Sequence, residues 1–321
     1  MNAEMKRWQE YWGRLKKTVG MRLLIDTYKG FLQDNPMLYG ASIAFYMIFS
    51  LPALLIFAVY IAGIIYGEEA VKGTLYEQIS THVGEGIAKQ IQNILRNVNL
   101  NESGAVAKTI GFATLIFSAT TVFVNIQLAL NEIWGVRAKP RRGWLKLIID
   151  RLFSFVIVVS LGLILIVFQI IDLALKVSEE FISRFLSEYS TYLMQLASFT
   201  ISIAIVTLVF ALVFKLLPDA VIRWRDVWVG ALVTTVLFVL GKELIGLYLK
   251  TSNLSTSYGA AGSLVILLIW IYYSAVIFLV GAEFTKAYSH HIGDTIVPKK
   301  NAVQVIKQEI EREPEPEKIS T

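Results

Sequence analysis

The chain has 321 residues, 55% of them hydrophobic and 17% charged, with a formal net charge of +5 and no cysteine. That balance is too apolar for a water-soluble domain of this length and marks a lipid-embedded protein. The absent cysteines exclude disulfides, thiolate metal sites and cysteine nucleophiles, and the positive charge is explained by loops facing anionic lipid, with no nucleic-acid partner needed.

Residues 1–34 predict an interfacial amphipathic helix. Trp8, Tyr11, Trp12, Leu15, Val19 and Leu23 recur at helical spacing while Lys6, Arg7, Arg14 and Lys17 fall elsewhere around the turn. Such a helix lies in the membrane plane or docks on the cytoplasmic face of a bundle, and the two are compatible. No short apolar core with a small-residue cleavage site is evident in the first 30 residues, so the first span is expected to act as the insertion signal. Asp34-Asn35-Pro36 then breaks the chain.

A bilayer core of roughly 30 Å needs about 20 apolar helical residues, because lipid offers no partner to free peptide groups. Six stretches qualify, at 37–66, 109–134, 152–175, 193–217, 227–249 and 262–284. The expected class is an all-α polytopic membrane protein, with a single membrane domain over residues 1–297. Lys and Arg concentrate before span 1, in the 2/3 loop (Arg137, Lys139, Arg141, Arg142, Lys146, Arg151), in the 4/5 turn (Lys215, Arg223, Arg225) and after span 6. That alternation puts both termini in the cytoplasm.

In span 1, Tyr39, Ser42, Tyr46 and Ser50 lie within about a quarter turn of one another at roughly 100° per residue. Pro52 frees the carbonyl of Ile48 and predicts a kink. This hydroxyl stripe is a pathway wall or a packed interface. The outer 1/2 loop, 67–108, keeps an apolar stripe from Leu75 to Val98 and predicts one or two amphipathic helices.

Span 2 carries Ser118, Thr121, Asn125 and Glu132 on one face and Thr120, Gln127 and Asn131 on nearly the opposite one. Two polar faces cannot both be hidden from lipid unless other spans surround the helix, which places span 2 at the bundle centre with interhelical hydrogen bonds. Span 5 contains Lys242 and Glu243 about two turns inside its outer end at Lys250. Lys242 can snorkel along its stem, whereas the shorter Glu243 needs a water-filled outer cavity. Tyr46, Ser50, Pro52, Asn125, Glu132, Lys242 and Glu243 therefore form the candidate polar pathway, with Glu132 and Glu243 as candidate proton carriers.

In span 6, Gly259, Ser263, Trp270, Ser274 and Gly281 fall near one angle and predict a structural seam of close helix approach, with Tyr272 and Glu283 opposite. Glu283 is expected to pair with an arginine of the 2/3 loop. Residues 298–321, ending in EIEREPEPEKIST, predict a mobile cytoplasmic tail. The chain's 3 histidines, His82, His290 and His291, have no HxH or HExxH spacing, and no Gly-rich phosphate loop is present. The expectation is a non-enzymatic protein without metal or cofactor.

The stretches NPMLYGASIAFYMIFSLPALL (35–55), NIQLALNEIWGV (125–136), RWRDVWVGALVTTVLF (223–238) and YGAAGSLVILLIWIYYSAVIFLVGAEFTKAY (258–288) resemble the recurring motifs of the YihY/BrkB family of bacterial inner-membrane proteins. The resemblance spans about residues 20 to 290 and implies a six-span bundle in a bacterial cytoplasmic membrane. Some members have been labelled a transfer-RNA-processing ribonuclease; others suggest envelope lipid export or resistance to host killing. Together with the residues, this leads to a transporter or flippase of a lipid or other amphiphile, passive or driven by an ion gradient. Membrane lipids are its expected partners. The alternative is a non-transporting envelope scaffold or regulator, acting as a homo-oligomer or with an envelope protein, and a membrane hydrolase or ribonuclease ranks last.

Overall fold

In the computed structural model, residues 19–50, 105–139, 160, 188–251 and 262–306 are described. Among them six helices run in chain order: α1 (Val19–Gln33), α2 (Pro36–Ser50), α3 (Ala105–Ile133), α4 (Glu188–Leu216), α5 (Trp224–Thr251) and α6 (Gly262–His291). Windows within α4 (Phe199–Leu216), α5 (Trp224–Tyr248) and α6 (Leu264–His291) are long and apolar enough to cross a membrane. The described part of span 1, α2, is apolar but shorter, and its corner follows from local chemistry. Asn35 takes a left-handed backbone, φ 50°, which asparagine tolerates, and Pro36 opens α2, where a missing N–H costs nothing.

The most extensive contact between described helices joins α5 and α6, which run antiparallel. Each carries the sequence Gly-Ala-x-x-Thr, as Gly230–Thr234 and Gly281–Thr285. A Cβ at Gly230 would overlap the Thr285 side chain, and one at Gly281 would overlap Thr234, so each glycine is the socket for the other helix's threonine. Both hydroxyls turn back along their own helix. Thr234 donates to Gly230 O at 2.7 Å and Thr285 to Gly281 O at 2.8 Å, so no hydroxyl proton is left unsatisfied in the seam. Farther along, Gly241 takes Ile277 and Tyr273. The α6 contact ridge is thus 273, 277, 281 and 285, an i+4 row packing into the partner's groove.

The other faces of α6 hold the remaining elements. Gly40 of α2 meets Val276 and Tyr272, Gly30 of α1 meets Glu283, and the Trp134 indole N–H donates to Ala282 O at 3.3 Å. An aromatic chain, Trp134–Phe214–Phe278–Phe210–Phe238, ties the end of α3 through α4 and α6 to α5. The fully buried Leu130, Ile133, Phe214 and Leu279 fill the space between. Thr207 of α4 donates to Thr235 of α5 at 3.0 Å.

Among the described residues four short strands join the helices, which make up most of the fold. β1 (Val136–Ala138) pairs antiparallel with β4 (Ala302–Gln304), and β2 (Ala220–Val221) pairs antiparallel with β3 (Val297–Pro298). The expected tail therefore does not begin at 298: residues 297–304 staple the 2/3 and 4/5 connections together, with Lys299 N–H on Asp219 O and Val305 N–H on Gly135 O. The physical reason is that Ile296 and Ala302 bury against the bundle end while loops distant in sequence supply the strand edges. Span 6 likewise runs to His291, about two turns past its expected end, because Thr285, Ala287 and Ser289 stay buried. Residues 307–321, most of the 1/2 loop and almost all of span 3 lie outside the described residues, as do Pro52 and Gly259.

The interlock sets a stability prediction. Gly281→Leu should lower the stability of the detergent-solubilised protein by about 1–3 kcal/mol in thermal unfolding. Gly246→Ala, where a Cβ meets nothing within 4 Å, should cost none. Equal melting of the two variants would contradict the interlock.

Candidate functional site

Charged and polar side chains gather where α1, the ends of α3, α4 and α6, and the start of α5 meet. Asp34, 6% exposed, accepts a 2.6 Å hydrogen bond from the Lys286 ammonium. The same ammonium lies 3.9 Å from Glu283, 1% exposed and one turn back on α6. Gly30 permits this, since a Cβ there would overlap Glu283 Oε2. His291 Nε2 sits 2.5 Å from Asp26, so α1 is fastened to α6 at two levels. Residues 19–33 are thus docked on the bundle.

A second cluster centres on Asp219 in the 4/5 turn. Its carboxylate accepts from Asn131 Nδ2 at 2.9 Å and Gln127 Nε2 at 3.2 Å, and its N–H donates to Asn131 Oδ1 at 2.8 Å. Lys215 donates to Ile222 O and holds its ammonium 5.4 Å from the Trp224 ring, while Lys299 Nζ donates to Leu216 O at 3.3 Å. Burial pushes the Lys299 ammonium below its ordinary value, Asp219 opposing that shift and Lys215 adding to it. On the first turn of α5, buried Asp226 accepts at 3.4 Å from both the Ser289 hydroxyl and the Asp294 N–H, with Gly293 packed against it.

These contacts sort the candidate pathway residues. Asn125 is half-buried, accepts from Ser42 of α2 at 3.4 Å and donates to Thr121 O at 2.9 Å, so one polar face of α3 serves α2 and the other serves Asp219. Ser50 is buried with its hydroxyl on Tyr46 O, and Tyr46 itself is 38% exposed. Glu132 is half-buried near the strand-bearing end, whereas Lys242 and Glu243 are exposed next to Gly241. Gly241 lies about 16 Å along α5 from Gly230. The described contacts bring Asn125 to span 1 but do not bring Glu132 and Glu243 together.

The expected seam shares only Gly281 with the observed contact ridge. Trp270 and Ser274 are half-buried, and the side chain of Ser263 lies outside what is described. The difference arises because two crossing helices touch along an i+4 row, whereas residues at one fixed angle leave the contact. Tyr272 and Glu283 do face away from α5, toward α2 and α1. For Glu283 the described cation is Lys286, and most of the 2/3 loop arginines lie outside the described residues. Sequence reasoning missed Asp34, Asp219 and Lys286. Their only signal was local: an aspartate in each of the turns Asp34-Asn35-Pro36 and Pro218-Asp219, and a lysine three residues after Glu283.

Comparison with known proteins identifies the family. The model of the virulence factor BrkB family matches residues 27–305, and the chain belongs to that family. The matched region ends just beyond β4, so the strand staple falls within it. A UPF0761 membrane protein of Verminephrobacter eiseniae is 29% identical over 262 residues, covering 79% of this chain and 59% of that protein. One from Xanthomonas oryzae pv. oryzae is 27% identical over 288 residues, covering 88% and 64%, and one from Psychromonas ingrahamii is 27% identical over 278 residues, covering 84% and 88%. The chain thus spans roughly three fifths of the length of the first two relatives. No solved structure matches.

Lys286→Met removes the ammonium common to two buried carboxylates and should cost about 3 kcal/mol or more in thermal unfolding. Lys286→Arg should recover most of that loss. A double-mutant cycle of Lys286→Met with Asp34→Asn should show clear coupling, and simple additivity would contradict the pairing.

Proposed function

We propose that this BrkB-family membrane protein moves a lipid or other amphiphile across a bacterial cytoplasmic membrane. In this reading six spans cross the bilayer with both termini cytoplasmic, and the protein acts without catalysis, passively or on an ion gradient. The observation that carries it is the exposure of Lys242 and Glu243 on a helix whose other charged residues, Arg225, Asp226 and Lys250, stand at its ends. Trp224 and Trp228, 46% and 43% exposed, mark one interface of α5. Lys242 lies about 27 Å farther along, close to the opposite edge of a hydrocarbon core of roughly 30 Å. A charged pair reaching that edge from a lipid-facing helix suits contact with a zwitterionic headgroup, Lys242 toward its phosphate and Glu243 toward its ammonium. Asn125, bonded to Ser42, supplies a polar contact between α3 and α2 deeper in the bundle.

One observation favours the alternative, a non-transporting scaffold: the α5/α6 seam is closed by the glycine–threonine interlock, so no route runs between those two helices. A transport route would follow the faces of α2 and α3 instead.

Reconstitution into vesicles carrying a fluorescent phospholipid separates the readings, with dithionite quenching used to follow leaflet exchange. Transport predicts exchange above that of empty vesicles, reduced about tenfold or more by Glu243→Gln, in line with a lost charge-assisted contact. Folded, correctly inserted protein that leaves exchange at the empty-vesicle rate would contradict transport and favour the scaffold.

A further inference from the structure

The end of the bundle that carries the strands holds a second feature, which the transport reading does not use. Lys215 sits close enough to Lys299 for its charge to disfavour the Lys299 ammonium, and the carboxylate that favours it, Asp219, already accepts from Gln127 and Asn131. Among the described residues each ammonium makes one hydrogen bond, to a backbone carbonyl, Lys215 to Ile222 O and Lys299 to Leu216 O. An ammonium has three N–H donors, so both retain donors for a further acceptor. Beside them Leu216, Val221 and Trp224 are 38%, 48% and 46% exposed. From Trp224 an exposed apolar ridge continues up α5 through Trp228, Leu232 and Val236, about 18 Å, close to half the hydrocarbon core of roughly 30 Å. Cations sharing one spot, an exposed indole and an acyl-length apolar ridge fit the two halves of one amphiphile with an anionic head.

We propose that Lys215, over the Trp224 ring, and Lys299 bind the phosphate of an anionic phospholipid whose chains lie along the exposed ridge of α5. The burial that weakens the charged form of Lys299 is then offset by the bound phosphate. Basic pockets beside membrane helices hold anionic headgroups by the same electrostatics. The site lies at the opposite end of α5 from Lys242 and Glu243, so it stands whether or not the protein transports anything.

The test is native mass spectrometry of the full, delipidated chain with phosphatidylglycerol or phosphatidylcholine added. Phosphatidylglycerol should be retained preferentially, and the double variant Lys215→Gln/Lys299→Gln should weaken its binding on the order of tenfold. Lys29→Gln on α1 should leave it unchanged, and Lys299→Arg, which keeps the charge, should bind like the parent. Thermal stabilisation of the unaltered protein by phosphatidylglycerol over phosphatidylcholine gives a readout that needs no variant. Equal retention of the two lipids would overturn the proposal, as would a folded double variant that binds normally. Displacement of the lipid by millimolar inorganic phosphate alone would overturn it in favour of a soluble anion.

Discussion

Two glycines and two threonines hold the described architecture in place. Lipid supplies no hydrophobic drive between helices, so association in a bilayer rests on how closely backbones approach and how many atoms then touch. The twin Gly-Ala-x-x-Thr segments of α5 and α6 answer that requirement reciprocally, each glycine receiving the other helix's threonine. Because each hydroxyl bonds its own glycine's carbonyl, the close contact leaves no donor facing acyl chains. With α5 fixed against one side of α6, the other sides are free for α1, α2 and the end of α3, and these attach through Gly30, Gly40 and Trp134.

The two ends of the bundle then differ in character. One is a dense polar assembly in which Asp34, Lys286 and Glu283 dock α1, Asp219 gathers α3, and residues 297–304 staple two connections. The helix α1 and the C-terminal strands meet the bundle at this same end, with His291 beside Asp26. Toward the other end of α5, Lys242 and Glu243 are exposed.

Much of this was legible in the residues, because hydropathy and helical spacing are local. The helix positions followed from apolar runs, the corner from Asp34-Asn35-Pro36, and the two-sided polarity of span 2 from Asn125 and Asn131 at opposing angles. What escaped was anything whose partner is remote. Asp219 looks like an ordinary turn residue until Asn131, 88 positions away, donates to it. Lys286 looks like the end of a span until Asp34 lies against it. The strands were hidden for the same reason, since β1 and β4 are separated by the whole second half of the chain. The glycine–threonine motif was the exception: it stands twice in the sequence, but its meaning depends on the antiparallel register that pairs the two copies.

That register is the claim from which the rest follows, and the absence of native cysteines allows it to be read directly in membranes. A disulfide needs Cβ atoms about 3.5–4.5 Å apart. A Cβ at Gly241 would meet the end of the Ile277 side chain, so Gly241→Cys with Ile277→Cys puts two thiols on facing turns of α5 and α6, and mild oxidation should link them within one chain. Failure to link there, with efficient linking of Gly246→Cys to Ile277→Cys, would mean that α5 and α6 meet in a different register.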